Sequence, residues 1–233
     1  ELLSDLKIKK IIQDIVENNL FESEIALFIS AVYKNGMNFK ETISLIEAFL
    51  SSGKSFTLKN KYVVDKHSIG GIPGNRTTPI VVSICAAAGL IFPKSSSRAI
   101  TSAAGTADVI ETLAKVDIPI EEVRKIISKT KACLVWGGSL GMVPADSKII
   151  SIEKELKIDS EALLLASIMS KKLAVGSKYI LIDVPCGKNA KVTKGKAIKL
   201  KEKFEKLGRH FKLKLKVVLT NGDKPIGKGI GSV

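Results

Sequence analysis

The stretch from Tyr62 to Gly89, YVVDKHSIGGIPGNRTTPIVVSICAAAG, decides how this chain is read. Its apolar opening, Tyr62–Asp65, predicts a short strand. A glycine-rich loop follows, carrying Lys66, His67, Ser68, Gly70, Gly71 and Gly74. Thr78 and Pro79 then supply a helix N-cap and a first-turn proline, and Gly89 closes the helix. Bare backbone between a strand and a helix start leaves N–H groups aimed at one place, which favours an anion. The spacing matches neither a Walker A loop nor a GxGxxG fingerprint, so no nucleotide fold follows from it alone. The plain alternative is a turn that merely connects. Lys66 as charge and Ser68 as hydroxyl donor favour anion binding, and His67 is an acid or hydrogen-bond donor within the same loop.

On the N-terminal side the texture is helical. Ile8, Ile11, Ile12 and Ile15 recur at helical spacing, a second helix closes at Gly36, and Asn38 with Glu41 forms a capping box that opens a third. On the C-terminal side strands and helices alternate. LIFP, ACLVWGG, YILIDVPCG (Tyr179–Gly187) and LKVVLT read as strands; ADVIETLAKV, IEEVRKIISKT and KGKAIKLKEKFEKLG read as helices. Alternation of this kind predicts a mostly parallel sheet. Ile158–Gly176 interrupts it with one long helix, apolar nearly all round, expected to return to the N-terminal helices. The expected fold is therefore α/β: a helical domain over residues 1–58 and 146–177, and an α/β domain over 59–145 and 178–233, with a cleft between them.

Composition narrows the function classes. Of 233 residues, 45% are hydrophobic and 26% charged, which is ordinary globular usage. Cys85, Cys133 and Cys186 are far apart and form no CxxC pair, so neither a zinc site nor a disulfide framework is expected, and a reducing, cytoplasmic setting fits. No metal site and no signal peptide are expected, and no apolar run reaches the length of a membrane span. The formal net charge of +14 suits a polyanionic partner, or simply reflects lysines scattered along amphipathic helices. Only 5% of residues are aromatic, with no aromatic-basic stripe on which bases could stack, so nucleic acid is not the expected partner.

Two further loops leave strand ends, where ligands of parallel sheets bind. KSSSRAITSAAGT (94–106) crowds Lys94, Ser95, Ser96, Ser97, Arg98, Thr101, Ser102 and Thr106 into thirteen residues; it is either a solvated loop or a phosphate fork. CGKNAKV (186–192) offers Lys188 and Lys191. In the long helix, Ser167 and Lys171 lie four apart and share a face among apolar residues. A lysine there is costly unless it is paired or reaches a cleft. Asp159 stands at the start of that helix and reads locally as an N-cap. His210 reads as a surface residue.

Taken together, VVDKHSIGG, SSSRAITSAAGTAD, VWGGSL, PADS and LLLASIMSKKLAVG resemble the thymidine phosphorylase superfamily, and most of all its AMP phosphorylase branch, known from archaeal nucleotide salvage. The resemblance implies a helical domain facing an α/β domain across a cleft. It implies phosphorolysis, in which phosphate displaces a base from C1′ of ribose; in this branch AMP and phosphate give adenine and ribose 1,5-bisphosphate. It places Lys66, Ser68, Thr78, Ser96 and Thr106 on the attacking phosphate, and Gly71, the run Ser97, Arg98, Ala99, Ile100, Thr101 and Ser102, Thr106, Ser167 and Lys191 on the nucleotide. Ser167 and Lys171 fall on positions that contact the base, and Asp159 on the residue that protonates it, with His67 the rival acid. Phosphate is a co-substrate, no cofactor or metal is implied, and a homodimer or larger homo-oligomer through the helical domain is expected. Family members extend beyond both ends of this stretch. Pyrimidine-specific members carry an arginine on the base; counting back from Ser167, that position holds Ile152, which favours AMP over thymidine. The other readings are a pyrimidine-nucleoside phosphorylase and, in a different class, a basic nucleic-acid-binding module.

Overall fold

The computed structural model describes residues 2–54, 56–58, 60–70, 77–99, 104–224 and 227. The chain forms two compact units, Glu1–Thr57 with Gly141–Val175, and Leu58–Leu140 with Gly176–Val233.

The first unit is helical. It comprises α1 (Asp5–Glu17), α2 (Glu22–Asn35), α3 (Phe39–Ser51), α7 (Pro144–Leu156) and α8 (Glu161–Ala174). Buried Ile8, Ile12 and Ile15 form the inner stripe of α1, which packs on α3. The expected capping box on α3 is present: Asn38 Oδ1 accepts from Glu41 N at 2.9 Å, and Glu41 Oε2 accepts from Asn38 N at 2.8 Å. Lys148 Nζ donates to the Ile15 and Val16 carbonyls, both at 2.9 Å, capping the C-terminus of α1 with a cation. The α7 helix lies outside the sequence reading; Pro144 at its first turn is the local signal that marks it. The α8 helix packs on α3 and buries Leu163, Leu165, Ala166, Ile168 and Met169. Its N-cap is Ser160, not Asp159, which lies one residue ahead and is half-buried.

The second unit is built on parallel strands: β1 (Val64–Ser68), β2 (Phe92–Ser96), β3 (Ala132–Trp136), β4 (Tyr179–Cys186) and β5 (Lys214–Asn221). They form a three-stranded sheet in the order β1-β4-β5 and a two-stranded sheet β2-β3, and a parallel bridge pairs Val63 with Ile91. The connecting helices are α4 (Thr78–Ala87), α5 (Thr106–Glu111), α6 (Ile120–Thr130) and α9 (Lys194–His210). Buried Ile180, Ile182, Val184 and Val217 face buried Leu200, Phe204 and Leu207 of α9, forming one part of the core.

Four expectations change here. Lys66, His67 and Ser68 belong to β1 rather than to the loop, because each pairs in register with Leu181, Ile182 and Asp183 of β4. Lys94, Ser95 and Ser96 likewise belong to β2, paired with Leu134, Val135 and Trp136. Polar residues are poor strand signals, and partners 115 positions away for β1 and 40 for β2 cannot be seen locally. The helix read over ADVIETLAKV is only the six-residue α5, and Thr77 rather than Thr78 is the N-cap of α4.

Candidate functional site

In a parallel sheet every strand ends on the same side, so side chains at the carboxyl ends converge by topology. Side chains two apart on a strand share a face, and so do residues paired across parallel strands. Lys66 and Ser68 therefore lie on one face of β1, with Asp183 of β4 beside Ser68 and Thr220 of β5 two residues beyond Val218, the partner of Asp183. The Ser68 hydroxyl donates to Asp183 Oδ2 at 2.8 Å, and the Thr220 hydroxyl donates to Asp183 Oδ1 at 2.6 Å. Lys66 is buried and donates from Nζ to the hydroxyl of Thr77, at the N-terminus of α4. An ammonium held against a helix N-terminus concentrates positive potential where an anion would sit. Thr78 is buried in the first turn of that helix, and His67 is half-buried on the opposite face of β1. Gly71 lies outside the described residues.

The second group surrounds the end of β2. Ser95 and Ser96 are buried, and their hydroxyls have no partner among the described residues. A buried, unsatisfied hydroxyl costs about 1–3 kcal/mol, so these two are groups that a ligand could satisfy. Beyond them the chain is stitched by Asp108. Its Oδ2 accepts from Ala99 N at 2.8 Å and Gly105 N at 2.7 Å, and its Oδ1 accepts from Arg98 Nη1 at 3.1 Å. Burial pushes the Asp108 carboxyl up, but those donors outweigh it and hold the group below its ordinary range. Ala107 N also donates to Ser97 O at 3.2 Å. A Cβ on Gly105 would come within 2.5 Å of Arg98 C and Ser97 O, so no side chain fits there. Ser97, Arg98, Ala99 and Thr106 are thus fixed together, while Ile100, Thr101 and Ser102 lie outside the described residues.

Arg98 is not a free guanidinium awaiting phosphate. It forks onto Glu111, with Nη2 to Oε1 at 2.8 Å, and stacks over Trp136 at 4.9 Å. Hydrogen bonding to Glu111 raises the Arg98 pKa further and lowers that of the Glu111 carboxyl.

Lys191 is exposed in the loop after β4. That loop is held by Asp223, which accepts from Lys188 N at 3.0 Å and Asn189 N at 2.6 Å. Cys133 is buried, and its thiol is pushed up to about 12 by burial, with the Asp65 carboxylate adding to the effect. Such a thiol is inert at neutral pH.

The remaining expected residues sit in the helical unit. Glu161, Leu164, Ser167 and Lys171 form the less buried stripe of α8, repeating at helical spacing. Lys171 Nζ donates to Ser167 Oγ at 3.1 Å and pairs with Asp146 Oδ2 at 2.7 Å. Asp146 is 2% exposed in the first turn of α7, where the helix N-terminus favours a carboxylate. Lys172 is buried as well. Ile152, at the position expected to carry an arginine in pyrimidine-specific members, is buried in α7. Sequence reasoning missed Asp146, Asp108, Glu111 and Asp183. The sequence signal for Asp183 was present: it is the one charged residue inside the apolar run YILIDVPCG.

The profile of the glycosyl transferase family, a/b domain, matches residues 60–199. The chain belongs to this family. It is 48% identical over 232 residues to a protein named AMP phosphorylase from Pyrococcus furiosus, covering 99% of this chain and 46% of that protein. It is 46% identical over 226 residues to a protein named "Putative thymidine phosphorylase" from Ralstonia nicotianae, covering 97% of this chain and 45% of that protein. The chain thus spans about half the length of the curated relatives it matches. Among solved structures, anthranilate phosphoribosyltransferase from Thermus thermophilus superposes with a TM-score of 0.73 at 18% identity, over 97% of this chain and 65% of that one. At that identity the likeness shows the fold: helices with a parallel α/β unit.

Proposed function

We propose that the protein containing this chain cleaves nucleoside 5′-monophosphates by phosphorolysis, converting AMP and phosphate to adenine and ribose 1,5-bisphosphate. One observation carries the reading. The buried Lys66 and the hydroxyls of Ser68 and Ser96 lie at carboxyl ends of strands in a chain 48% identical to a protein named AMP phosphorylase.

In this reading a phosphate oxygen attacks C1′ of the ribose while the C1′–N bond to the base breaks. Positive charge builds on the sugar and negative charge on the departing base. Lys66, Ser68, Thr78, Ser96 and Thr106 hold the attacking phosphate. Gly71, the run 97–102, Thr106 and Lys191 hold the nucleotide, and Ser167 and Lys171 hold the base. Arg98 acts by fixing the loop through Asp108 and Glu111. Asp159 gives its proton to the leaving base, with His67 as the alternative acid. Positioning two anions and a sugar for in-line attack supplies several kcal/mol, at most about 11. No cofactor is invoked. The exposed side chains of Leu2, Leu6, Phe21 and Leu27 on the helical unit support a second copy packing there.

A thymidine-cleaving enzyme is the second reading, favoured by the relative of that name. The complete protein, incubated with phosphate and either AMP or thymidine, separates the two: free adenine from AMP supports the first, and thymine from thymidine supports the second.

A further inference from the structure

The Ser68–Asp183–Thr220 arrangement constrains what can bind at the end of β1. A carboxylate only accepts hydrogen bonds, and a hydroxyl has one proton to give. Ser68 and Thr220 each spend that proton on Asp183, at 2.8 and 2.6 Å. What Ser68 Oγ then offers a ligand is a lone pair. The Asp183 carboxylate, on the same sheet face as Lys66, also repels an anion unless that anion supplies a proton. A fully deprotonated tetrahedral anion must break the Ser68–Asp183 bond to gain a donor. Hydrogen phosphate can instead donate its own P–OH to Ser68 Oγ.

We propose that Asp183 is a positioning residue that fixes the Ser68 hydroxyl as an acceptor, so that this site selects hydrogen phosphate over sulfate. The inference rests on the phosphorolysis reading for the placement of phosphate at Ser68. It adds a consequence for the reaction: the protonated oxygen of phosphate is held toward Ser68, leaving unprotonated oxygens for attack on C1′. No bond to Asp183 forms or breaks, and its proton count does not change.

The test measures phosphate and sulfate binding to the complete protein by equilibrium dialysis, alongside adenine release from AMP. The wild type is expected to bind phosphate about tenfold or more tightly than sulfate, the size of one hydrogen bond to a charged group. In Asp183→Asn the amide can donate to Ser68 Oγ and free its proton, so the preference is expected to narrow several-fold, chiefly through tighter sulfate binding. Asp183→Ser carries the same expectation should the first variant not fold. A general loss of structure would weaken both anions together and leave their ratio unchanged. A wild type that binds both anions equally, or binds neither, overturns the proposal, as does a folded Asp183 variant that keeps the wild-type ratio. Adenine release is read separately: its absence with phosphate preference intact overturns phosphorolysis of AMP and leaves anion selection standing.

Discussion

The ammonium of Lys171 lies 2.7 Å from the carboxylate of Asp146, which is 2% exposed. This pairing explains how a lysine is tolerated on a helix that is otherwise mostly buried. Removing one partner strands the other charge, which is costlier than losing the attraction itself. Lys171→Met should therefore destabilise the protein by about 3 kcal/mol. The double variant Lys171→Met/Asp146→Leu should recover much of that loss. Urea melts arranged as a double-mutant cycle measure the coupling, and additive effects would show the pair to be independent.

Asp159 sits just ahead of α8, with Ser160 as the N-cap, so a purely capping role does not account for it. Asp159→Asn is expected to abolish most turnover while AMP still binds. Single-turnover kinetics with calorimetric AMP binding check this; near-normal turnover in Asp159→Asn moves the acid to His67.

Gly105 has backbone atoms of Arg98 and Ser97 within 2.5 Å of where a Cβ would stand. Backbone yields less than a flexible side chain, so Gly105→Ala should cost about 1–3 kcal/mol through overpacking. It should also raise the KM for AMP, because the same contact fixes the 97–99 segment. Thermal melts and steady-state kinetics on the one variant test both halves.

Acid should loosen this loop. The carboxyls of Asp108 and Glu111 lie below their ordinary values in the folded chain, so their contribution is present at neutral pH. It is lost as pH falls through those lowered values, below about pH 4. Trp136 is the one tryptophan in the sequence, and the Arg98 guanidinium lies over its ring. Its fluorescence should change in that window, before global unfolding, and Glu111→Gln should remove part of the change. Fluorescence independent of pH down to the global transition would contradict the coupling.

The parts legible in the sequence were those that local patterns encode. The α3 capping box at Asn38 and Glu41, the apolar strand β4 and the isoleucine stripe of α1 all follow from spacing within a few residues. What was not legible depends on distant partners. Ser68 becomes strand only because Asp183 lies beside it, 115 residues away in sequence, and that same neighbour decides which way its proton points. Lys171 was readable as a lysine in need of a partner, but nothing in its own helix identified Asp146. The hydroxyl-rich loop around Arg98 reads as either a solvated loop or a phosphate fork, and nothing within it points to Glu111, thirteen residues on, which the Arg98 guanidinium bonds.

The most direct measurement incubates the complete protein with AMP, with and without inorganic phosphate, and quantifies free adenine and ribose 1,5-bisphosphate. Both products are expected in equal amounts, and only when phosphate is present. AMP left intact with phosphate, or adenine released at the same rate without it, would contradict phosphorolysis.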